Sequence, residues 1–248
     1  MSKVLATYNI KGGVGKTSAA VNLAYLAAAA GKRTLLWDLD PQAASTFLFR
    51  IQPKVQGGGR GLVRLRTVVS DQIKGTDYEH LDLLPADFSY RHLDLALDSF
   101  NRPTSRLGRV LEPLQDEYDY IFLDCPPSIS LVSESVFDAA DALLVPIIPN
   151  ALSARTFEQL EQLAAGGKQA PQVLAFWSMT KGRRRRHRRA MAALAEGHRL
   201  TMLEAAIPTS EDVEEMGEER NPVAVFAPRG EAAKAYEALW AEVQDRLG

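Results

Sequence analysis

Cysteine is nearly absent from this sequence, which has Cys125 alone among its 248 residues. A single thiol cannot form an internal disulfide or a zinc site built from several cysteines, so a disulfide-stabilised fold is excluded. Long apolar runs are also lacking, since none approaches the ~18 residues that a membrane-spanning helix needs. The amino terminus, Met1-Ser2-Lys3, shows no signal-peptide pattern. We therefore expect a soluble, cytoplasmic protein.

A strong charge of either sign is lacking as well. The formal net charge is −2 at pH 7, and the sequence pI is about 6.1. A protein that binds nucleic acid over much of its surface is usually basic. Any nucleic-acid site in this chain therefore has to be local.

Short apolar runs alternate with helical patterns along the chain, which is typical of β-α-β units and a parallel sheet. The predicted strands are Val4–Ile10, Thr34–Trp37, Leu81–Leu84, Tyr120–Leu123, Ala142–Ile148, Gln172–Trp177 and Leu203–Ala206. The predicted helices are Gly15–Ala30, Tyr90–Ser99, Thr104–Glu117, Leu131–Ala139, Ala154–Ala165, Arg186–Glu196, Glu211–Met216 and Glu231–Leu247. We expect a single α/β domain over residues 1–248, with a doubly wound, mainly parallel sheet and helices on both faces.

A glycine-rich stretch separates the first predicted strand from the first predicted helix. It contains Lys11, Gly12, Gly13, Val14, Gly15, Lys16 and Thr17, followed by Ser18. A strand, a glycine loop and a helix in this order form a phosphate-binding P-loop, in which backbone N–H groups and the helix start face the anion. Lys16 would then reach the β- and γ-phosphates, and the Thr17 hydroxyl would ligate Mg²⁺. The alternative is a simple glycine turn.

Acidic residues follow two of the predicted strands. Asp38 and Asp40 follow the second, and Asp124 follows the strand that begins at Tyr120. Acids at the carboxyl ends of parallel strands lie where open α/β sheets bind ligands. Asp40 is a candidate to hold or polarise the water that attacks the γ-phosphate and to take part in the magnesium site. Asp38 would belong to the magnesium shell, and Asp124 would lie near Mg²⁺, commonly through a water. The alternative for Asp40 is a cap on the next helix, with Pro41 at its first position.

Three stretches together resemble the ParA/MinD family of deviant Walker A ATPases. They are Lys11–Thr17, which matches Lys-Gly-Gly-x-x-x-Lys-[Ser/Thr], the Asp-x-Asp-Pro-Gln string at 38–42, and Asp-x-Pro-Pro at 124–127. The resemblance implies a P-loop ATPase that uses ATP and Mg²⁺. It implies catalytic roles for Lys16 and Asp40, and also for Lys11, which would reach the partner's phosphates in an ATP-bound homodimer. By the same resemblance, Ser178, Met179, Pro208 and Thr209 would lie against the adenine.

A basic run follows the sixth predicted strand, and no acid interrupts it. Its positive residues are Lys181, Arg183, Arg184, Arg185, Arg186, Arg188 and Arg189. Such a concentrated patch is typical of binding to phosphate backbones without sequence specificity, and the resemblance likewise implies nonspecific DNA binding in this part of the chain. The alternative is a solvated helix start. The stretch Glu211–Glu219 departs from the family pattern, because acids stand where relatives often have basic residues.

The sequence also predicts the structure of two further segments. The segment Gln52–Arg66 mixes four glycines with basic residues and is expected to be a mobile surface loop, or alternatively one that orders on dimerisation or contacts a partner. The final helix, Glu231–Leu247, has apolar residues at helical spacing and more acids than bases. It is expected to pack on the sheet rather than to bind a membrane.

The sequence thus indicates a ParA-like ATPase. ATP would close a homodimer that binds nonspecific DNA, and a ParB-like partner or cargo adaptor would stimulate hydrolysis. The expected role is partition of a plasmid or chromosome, or positioning of a cargo on the nucleoid. Two alternatives remain: a regulatory switch that acts on partner proteins without DNA, and a small-molecule P-loop enzyme of the dethiobiotin-synthetase kind.

Overall fold

The computed structural model describes residues 2–166, 170–181, 187, 191–192, 194, 197–198 and 201–248. In this part of the chain, eight strands form one sheet in the order β3-β4-β2-β5-β1-β6-β7-β8. The strands are β1 Lys3–Thr7, β2 Thr34–Asp38, β3 Lys74–Gly75, β4 Leu81–Leu84, β5 Tyr120–Asp124, β6 Ala142–Ile147, β7 Gln172–Thr180 and β8 Met202–Pro208. All neighbouring strands are parallel except β3 and β4.

Helices cover both faces of this sheet. They are α1 Lys16–Ala29, α2 Ala44–Leu48, α3 Gly58–Val63, α4 Leu93–Asp98, α5 Arg106–Leu111, α6 Leu131–Ala139, α7 Ala151–Ala165, α8 Glu211–Glu219, α9 Val223–Phe226 and α10 Glu231–Leu247. Short 3₁₀ helices occupy Ser70–Gln72, Phe88–His92 and Glu112–Leu114. The predicted α/β fold with a doubly wound, mainly parallel sheet is confirmed.

The alternation of side chains along each strand divides the core into two clusters. Leu35 and Trp37 of β2 point into one cluster, together with residues of α3 to α7. Leu36 points into the other, together with residues of α1 and α10. Successive strand residues face opposite sides of a sheet, and both sides are buried here. This explains why the strands are continuous apolar runs.

The final helix packs as its pattern predicts. Leu239, Trp240 and Val243 of α10 are buried, and the Trp240 ring lies edge-on to Tyr120, with 5.0 Å between the ring centroids. The Glu242 carboxylate accepts hydrogen bonds from the backbone N–H groups of Glu204 and Ala205 on the edge strand β8. None of the helices in the described part of the chain combines the length and the apolar character that a membrane-spanning segment requires.

The segment Gln52–Arg66 differs from its prediction. It contains α3, and Leu62 and Val63 of this helix are buried in the core. The prediction of an irregular surface loop is therefore wrong for this part of the segment. The sequence did not predict this short helix because the segment contains four glycines, and glycine weakens the helical pattern of a sequence.

Smaller differences concern boundaries. β1 ends at Thr7, three residues before the predicted end. The helix predicted over Thr104–Glu117 is the shorter α5, followed by a 3₁₀ turn that contains Pro113, because proline disrupts a continuing α-helix. Most of the helix predicted over Arg186–Glu196 lies outside the described residues.

Candidate functional site

The loop between β1 and α1 has the backbone of an anion-binding loop. Gly13 and Gly15 adopt left-handed conformations, with φ of +68° and +95°. At Gly15 a side chain would also lack space, because a Cβ atom would lie 2.9 Å from Ser178 Oγ. Glycine is therefore required at this position by conformation and by proximity to β7. The helix α1 begins at the next residue, Lys16.

Asn9 anchors the start of this loop. Its Nδ2 donates to the carbonyl of Pro146 on β6 at 2.9 Å, and its Oδ1 accepts from the backbone N–H of Lys11 at 2.9 Å. Lys16 Nζ in turn donates to the Lys11 carbonyl at 3.1 Å. The backbone of Lys11 is thus fixed from both sides, while its side chain is exposed. Sequence reasoning did not identify Asn9.

Lys16 is nearly buried, with 7% of its surface exposed. Burial lowers the pKa of its ammonium group, and the negative charges of Asp124 and Asp40 oppose this shift. Lys16 therefore carries a poorly solvated positive charge close to two carboxylates. Such a charge gains more from an added anion than an exposed lysine does.

Asp124 lies fully buried beneath the loop. Its Oδ2 accepts from Ser45 Oγ at 2.7 Å, and its Oδ1 has no hydrogen-bond partner among the described atoms. Burial raises the pKa of Asp124 to about 6, and the hydrogen bond from Ser45, together with the nearby Thr17 hydroxyl, opposes the rise. A buried oxygen without a partner, next to the Thr17 hydroxyl, fits a Mg²⁺ site that takes oxygen ligands and retains waters. The described residues contain no group of three or more His, Cys, Asp or Glu side chains placed to hold a metal.

Asp38 is also fully buried, and its two oxygens have partners in the loop that follows β2 and in the helix α2. Oδ1 accepts from the Asp40 N–H at 3.1 Å, and Oδ2 accepts from the N–H and the hydroxyl of Thr46, at 2.8 and 2.7 Å. Burial, followed by the charge of Asp124, raises its pKa to about 7. These contacts shape the loop between β2 and α2. The prediction that Asp38 belongs to the magnesium shell stays a prediction.

Asp40 lies at the mouth of the loop. Its Oδ1 accepts from the Gln42 N–H at 2.9 Å, which closes a tight turn. The following helix α2 begins at Ala44, and Ala43 stands at its start with φ of +59°. Asp40 therefore does not cap this helix, and Pro41 is not its first residue. The other oxygen of the Asp40 carboxylate accepts no hydrogen bond within this turn, so it is open to a ligand.

These elements enclose one cavity of about 280 Å³. Its wall contains Gly12, Gly13, Gly15, Lys16, Thr17, Ser18, Asp40, Pro127 and Met179. Residues from three separate motifs thus meet at the carboxyl edge of the sheet: the glycine loop supplies a lysine and hydroxyls, the second motif supplies the Asp40 carboxylate, and the third supplies Pro127. Asp38 and Asp124 pair in register on β2 and β5, and Thr7 of β1 pairs with Asp124. Val14 is buried behind the loop.

The residues predicted to contact adenine lie together at the ends of β7 and β8. Met179 has a left-handed backbone, with φ of +54°, at an irregularity in the pairing of these strands. The Thr209 N–H donates to the Thr180 carbonyl at 3.0 Å, which holds Pro208 and Thr209 beside β7. Ser178 is buried next to Gly15. These four residues thus form a border at the carboxyl ends of β7 and β8, and Met179 among them lines the cavity.

Two further site residues were not identified from the sequence. Ser45 and Thr46 are fully buried and donate to Asp124 and Asp38, respectively. Their position three and four residues after the Asp-x-Asp-Pro-Gln string is the signal that could have identified them. Of the predicted DNA-binding residues, Lys181 is exposed at the end of β7. The other six, Arg183, Arg184, Arg185, Arg186, Arg188 and Arg189, lie outside the described residues.

Comparison with known proteins gives consistent matches. A family model described as an AAA domain matches residues 2–168. The sporulation initiation inhibitor protein Soj of Bacillus subtilis is 38% identical over 148 residues, which cover 59% of this chain and 58% of Soj. The chromosome partitioning protein ParA of Myxococcus xanthus is 35% identical over 148 residues, covering 59% of this chain and 52% of ParA. The chain thus matches a little over half the length of these relatives.

The fold has close counterparts among solved structures. The ATP complex of an McdA variant from Cyanothece has a TM-score of 0.86 and covers 100% of this chain and 96% of that one. Its sequence identity is 20%, so the similarity concerns the fold. The family match covers more than half of the chain and includes the glycine loop, Asp40 and Asp124. The chain belongs to the AAA domain family and is a P-loop protein of the ParA/MinD type.

Proposed function

We propose that the protein is an ATPase whose nucleotide state controls its binding to DNA. One observation carries the proposal: Lys16, Thr17 and Asp40 line a single cavity, and Asp124 lies beneath it with an unpartnered oxygen. This arrangement fits a nucleoside triphosphate with Mg²⁺ better than it fits an uncharged ligand, because the site supplies both hydrogen-bond donors for phosphate and oxygen ligands for magnesium.

The roles of the residues follow from their positions. Backbone N–H groups of Gly12 to Thr17 bind the phosphates, and Lys16 neutralises charge on the transferred group. The Thr17 hydroxyl and, through water, Asp124 would hold Mg²⁺, which lowers the charge on the phosphate oxygens. The open oxygen of Asp40 orients the attacking water. The border formed by Ser178, Met179, Pro208 and Thr209 takes the adenine.

The remaining parts of the proposal rest on chemistry and on the names of relatives. The exposed Lys11 side chain, at the rim of the cavity, would reach the phosphates of a partner subunit in an ATP-bound homodimer, as an arginine finger does. The basic run from Lys181 to Arg189 would bind nonspecific DNA. Since two curated relatives are Soj and ParA, we propose partition of a plasmid or chromosome, or positioning of a cargo on the nucleoid in the cytoplasm. A ParB-like protein or cargo adaptor would activate hydrolysis.

The test is binding to a nonspecific DNA duplex, measured with ATP, ADP or no nucleotide over a series of salt concentrations. A variant with Arg183, Arg184, Arg185 and Arg186 changed to alanine is compared with a control that loses four exposed charges elsewhere, Lys3, Lys32, Arg229 and Lys234. We expect binding that requires ATP, weakens steeply with salt and is lost in the arginine variant but not in the control.

Other outcomes would redirect the proposal. Failure to bind DNA in every nucleotide state, with ATP still hydrolysed, would favour a regulatory switch that acts on partner proteins. Phosphorylation or ligation of a metabolite would favour a small-molecule enzyme. Either result would contradict the proposed link between nucleotide and DNA while leaving the nucleotide site intact.

A further inference from the structure

Six arginines from two separate stretches of the chain line two cavities, the smaller of which also contains Phe100. Three of them line a cavity of about 670 Å³ beside α3, and three line a cavity of about 310 Å³ beside α5. These residues, named here the arginine surface, are Arg60, Arg64, Arg66, Arg102, Arg106 and Arg109. The guanidinium carbons of Arg64 and Arg106 lie 6.0 and 4.2 Å from the centroid of the Phe100 ring. The ring therefore joins the two cavities into one surface.

Few carboxylates lie near the positive charges of this surface, although Arg109 also lines a neighbouring cavity with Glu112 and Asp138. None of its six arginines forms an ion pair with any residue that the structure describes. Among the residues that line the two cavities, Asp71 is the single carboxylate. Clustered like charges repel one another, and a protein with a net charge of −2 does not need such a cluster for solubility. The imbalance indicates an anionic ligand.

Two of these guanidinium groups are partly removed from water. Arg106 is 8% exposed, and its Nε donates to the Val63 carbonyl at 2.8 Å. Burial lowers the pKa of Arg106, and the charge of Arg109 lowers it further. Arg64 Nε is buried without a hydrogen-bond partner among the described atoms. Removing a charged donor from water is costly unless an acceptor replaces the water.

The wall of the larger cavity is held in place before any ligand arrives. Backbone N–H groups of Gln56 and Gly59 donate to Gln72 Oε1 and Ser89 Oγ, at 2.8 and 2.9 Å. Thr67 Oγ1 donates to the Gln56 carbonyl at 2.9 Å. A Cβ atom at Gly61 would lie 2.5 Å from Thr67 Oγ1, so glycine is needed for this closure. A fixed wall lowers the entropic cost of binding.

We propose that the arginine surface is a phosphate-binding site separate from the P-loop. The planar guanidinium group donates paired hydrogen bonds to phosphate oxygens. Two linked cavities with six such groups match a ligand that carries several phosphates in a row, either a free polyphosphate or the phosphodiester backbone of a nucleic acid. The cavities share no lining residue with the cavity at the P-loop. The inference therefore does not depend on the proposed function.

The test uses the full chain, saturated with ATP and Mg²⁺ so that the P-loop is occupied. The variant replaces the four exposed members of the surface, which form no side-chain hydrogen bond or ion pair with a described residue, by alanine: Arg60→Ala, Arg66→Ala, Arg102→Ala and Arg109→Ala. The control is the variant without Lys3, Lys32, Arg229 and Lys234, which loses the same charge. Thermal unfolding of both variants confirms that they fold. Inorganic tripolyphosphate is titrated calorimetrically, and a duplex of random sequence is titrated over a salt series.

We expect the variant to lose one tripolyphosphate-binding event, or to bind the duplex at least tenfold more weakly, while the control is unchanged. For the duplex, the slope of log K against log salt should fall by up to about 3.6, because each lost phosphate contact contributes about 0.9. Loss with tripolyphosphate alone assigns a free polyphosphate, and loss with the duplex identifies the nucleic-acid backbone.

Equal behaviour of variant and control with both probes would overturn the inference. Binding of polyglutamate at this surface in preference to both phosphate probes would also overturn it, in favour of an acidic protein segment. If tripolyphosphate binding is also unchanged in the variant, DNA binding that fails when Arg183 to Arg186 are replaced, but not when the arginine surface is changed, would contradict this inference and leave the proposed function standing. Loss of DNA binding when the arginine surface is changed, but not when Arg183 to Arg186 are replaced, would support this inference and contradict the proposed role of the basic run.

Discussion

Gly15 is the residue of the glycine loop where a side chain meets two obstacles. Its φ of +95° is unfavourable for any residue with a Cβ atom, and that atom would lie 2.9 Å from Ser178 Oγ. We expect Gly15→Ala to lower the free energy of unfolding by about 1–2 kcal/mol and to abolish ATP binding, because Ser178 and the loop must move apart. Chemical denaturation and nucleotide titration measure the two effects.

Gly13→Ala is the matched control for Gly15→Ala. Gly13 has φ of +68°, but a Cβ atom added there would meet nothing within 4 Å, so backbone strain is the sole penalty. Its loss of stability should be smaller than that of Gly15→Ala. Equal losses in the two variants would show that the contact with Ser178 is relieved at no cost.

Asp124 makes stability depend on pH. Its pKa rises from 3.8 in the ordinary state to about 6 in the folded protein, so between about pH 4 and pH 6 the folded chain holds a proton that the unfolded chain has released. Stability therefore falls as the pH rises through this window, and the full cost is present above it. Asp124→Asn keeps an acceptor for Ser45 Oγ and should stabilise the nucleotide-free protein at pH 7.5 by about 1–3 kcal/mol.

The difference between wild type and Asp124→Asn should disappear near pH 4 and reverse with ATP and Mg²⁺, which stabilise the wild type. Denaturation at several pH values, with and without MgATP, measures both effects. The control is Asp71→Asn, which also removes one negative charge but from an exposed position. A variant that is less stable than wild type at pH 7.5 without nucleotide would contradict the buried-charge account.

Asp40 allows catalysis to be separated from binding. Asp40→Asn retains an oxygen that can accept from the Gln42 N–H, so the turn should persist, but it removes the charge that we propose orients and polarises the attacking water. We expect the hydrolysis rate to fall at least about tenfold, with ATP affinity within a few-fold of wild type. Phosphate release and nucleotide titration give the two numbers. A large loss of affinity would instead place Asp40 in the ground-state contacts.

The site residues that sequence predicted and those it missed differ in how they act. Lys16, Asp40 and Asp124 stand in contiguous motifs whose spacing reflects the ligand. Asn9, Ser45 and Thr46 act on other protein groups, across as many as 137 positions in the case of Asn9 and Pro146. Such partners depend on the register of the sheet, which a single sequence does not give.

At the scale of elements, α3 ends in a Schellman motif with an unusual residue. The Arg66 N–H donates to the Gly61 carbonyl at 3.0 Å, and the Leu65 N–H donates to the Leu62 carbonyl at 2.8 Å. Leu65 occupies the left-handed position that glycine usually takes, with φ of +54°, and its side chain is 51% exposed. No glycine therefore marks the end of this helix in the sequence.

We expect Leu65→Gly to stabilise the protein by about 0.5–1 kcal/mol, because it relieves left-handed strain of about 1–2 kcal/mol at some cost in chain entropy. Leu95→Gly is the control. Leu95 is 73% exposed within α4, and glycine there should destabilise by about 0.5–1 kcal/mol. Thermal denaturation compares the two variants. If both destabilise equally, Leu65 makes contacts that outweigh its backbone strain.

At the scale of the whole molecule, the net charge of −2 gives no indication of the local clusters of basic residues. The basic run at Lys181–Arg189 is visible in sequence because it is contiguous. The arginine surface joins residues up to 49 positions apart, Arg60 and Arg109, and it forms because α3 and α5 pack on the same face of the sheet. The fold class was predictable from local patterns, whereas this surface follows from tertiary packing.

Assembly is the whole-molecule property that Lys11 would control. Its backbone is fixed by Asn9 and Lys16, whereas its side chain is exposed and forms no ion pair with a described residue. Lys11→Ala should therefore leave the fold and the ATP affinity of one subunit within a few-fold of wild type. If the side chain acts on a partner's phosphates, the variant should lose the ATP-dependent doubling of mass and at least about tenfold of the hydrolysis rate.

Light scattering with ATP and with ADP measures the mass, phosphate release measures the rate, and Lys3→Ala, another exposed lysine near the start of the chain, is the control. If the hydrolysis rate per subunit of the wild type is independent of protein concentration and Lys11→Ala hydrolyses ATP normally, one subunit is catalytically complete. A rate per subunit that rises with protein concentration in the wild type and stays low in Lys11→Ala supports a site completed by two subunits, because a charge supplied by the partner acts only where subunits meet.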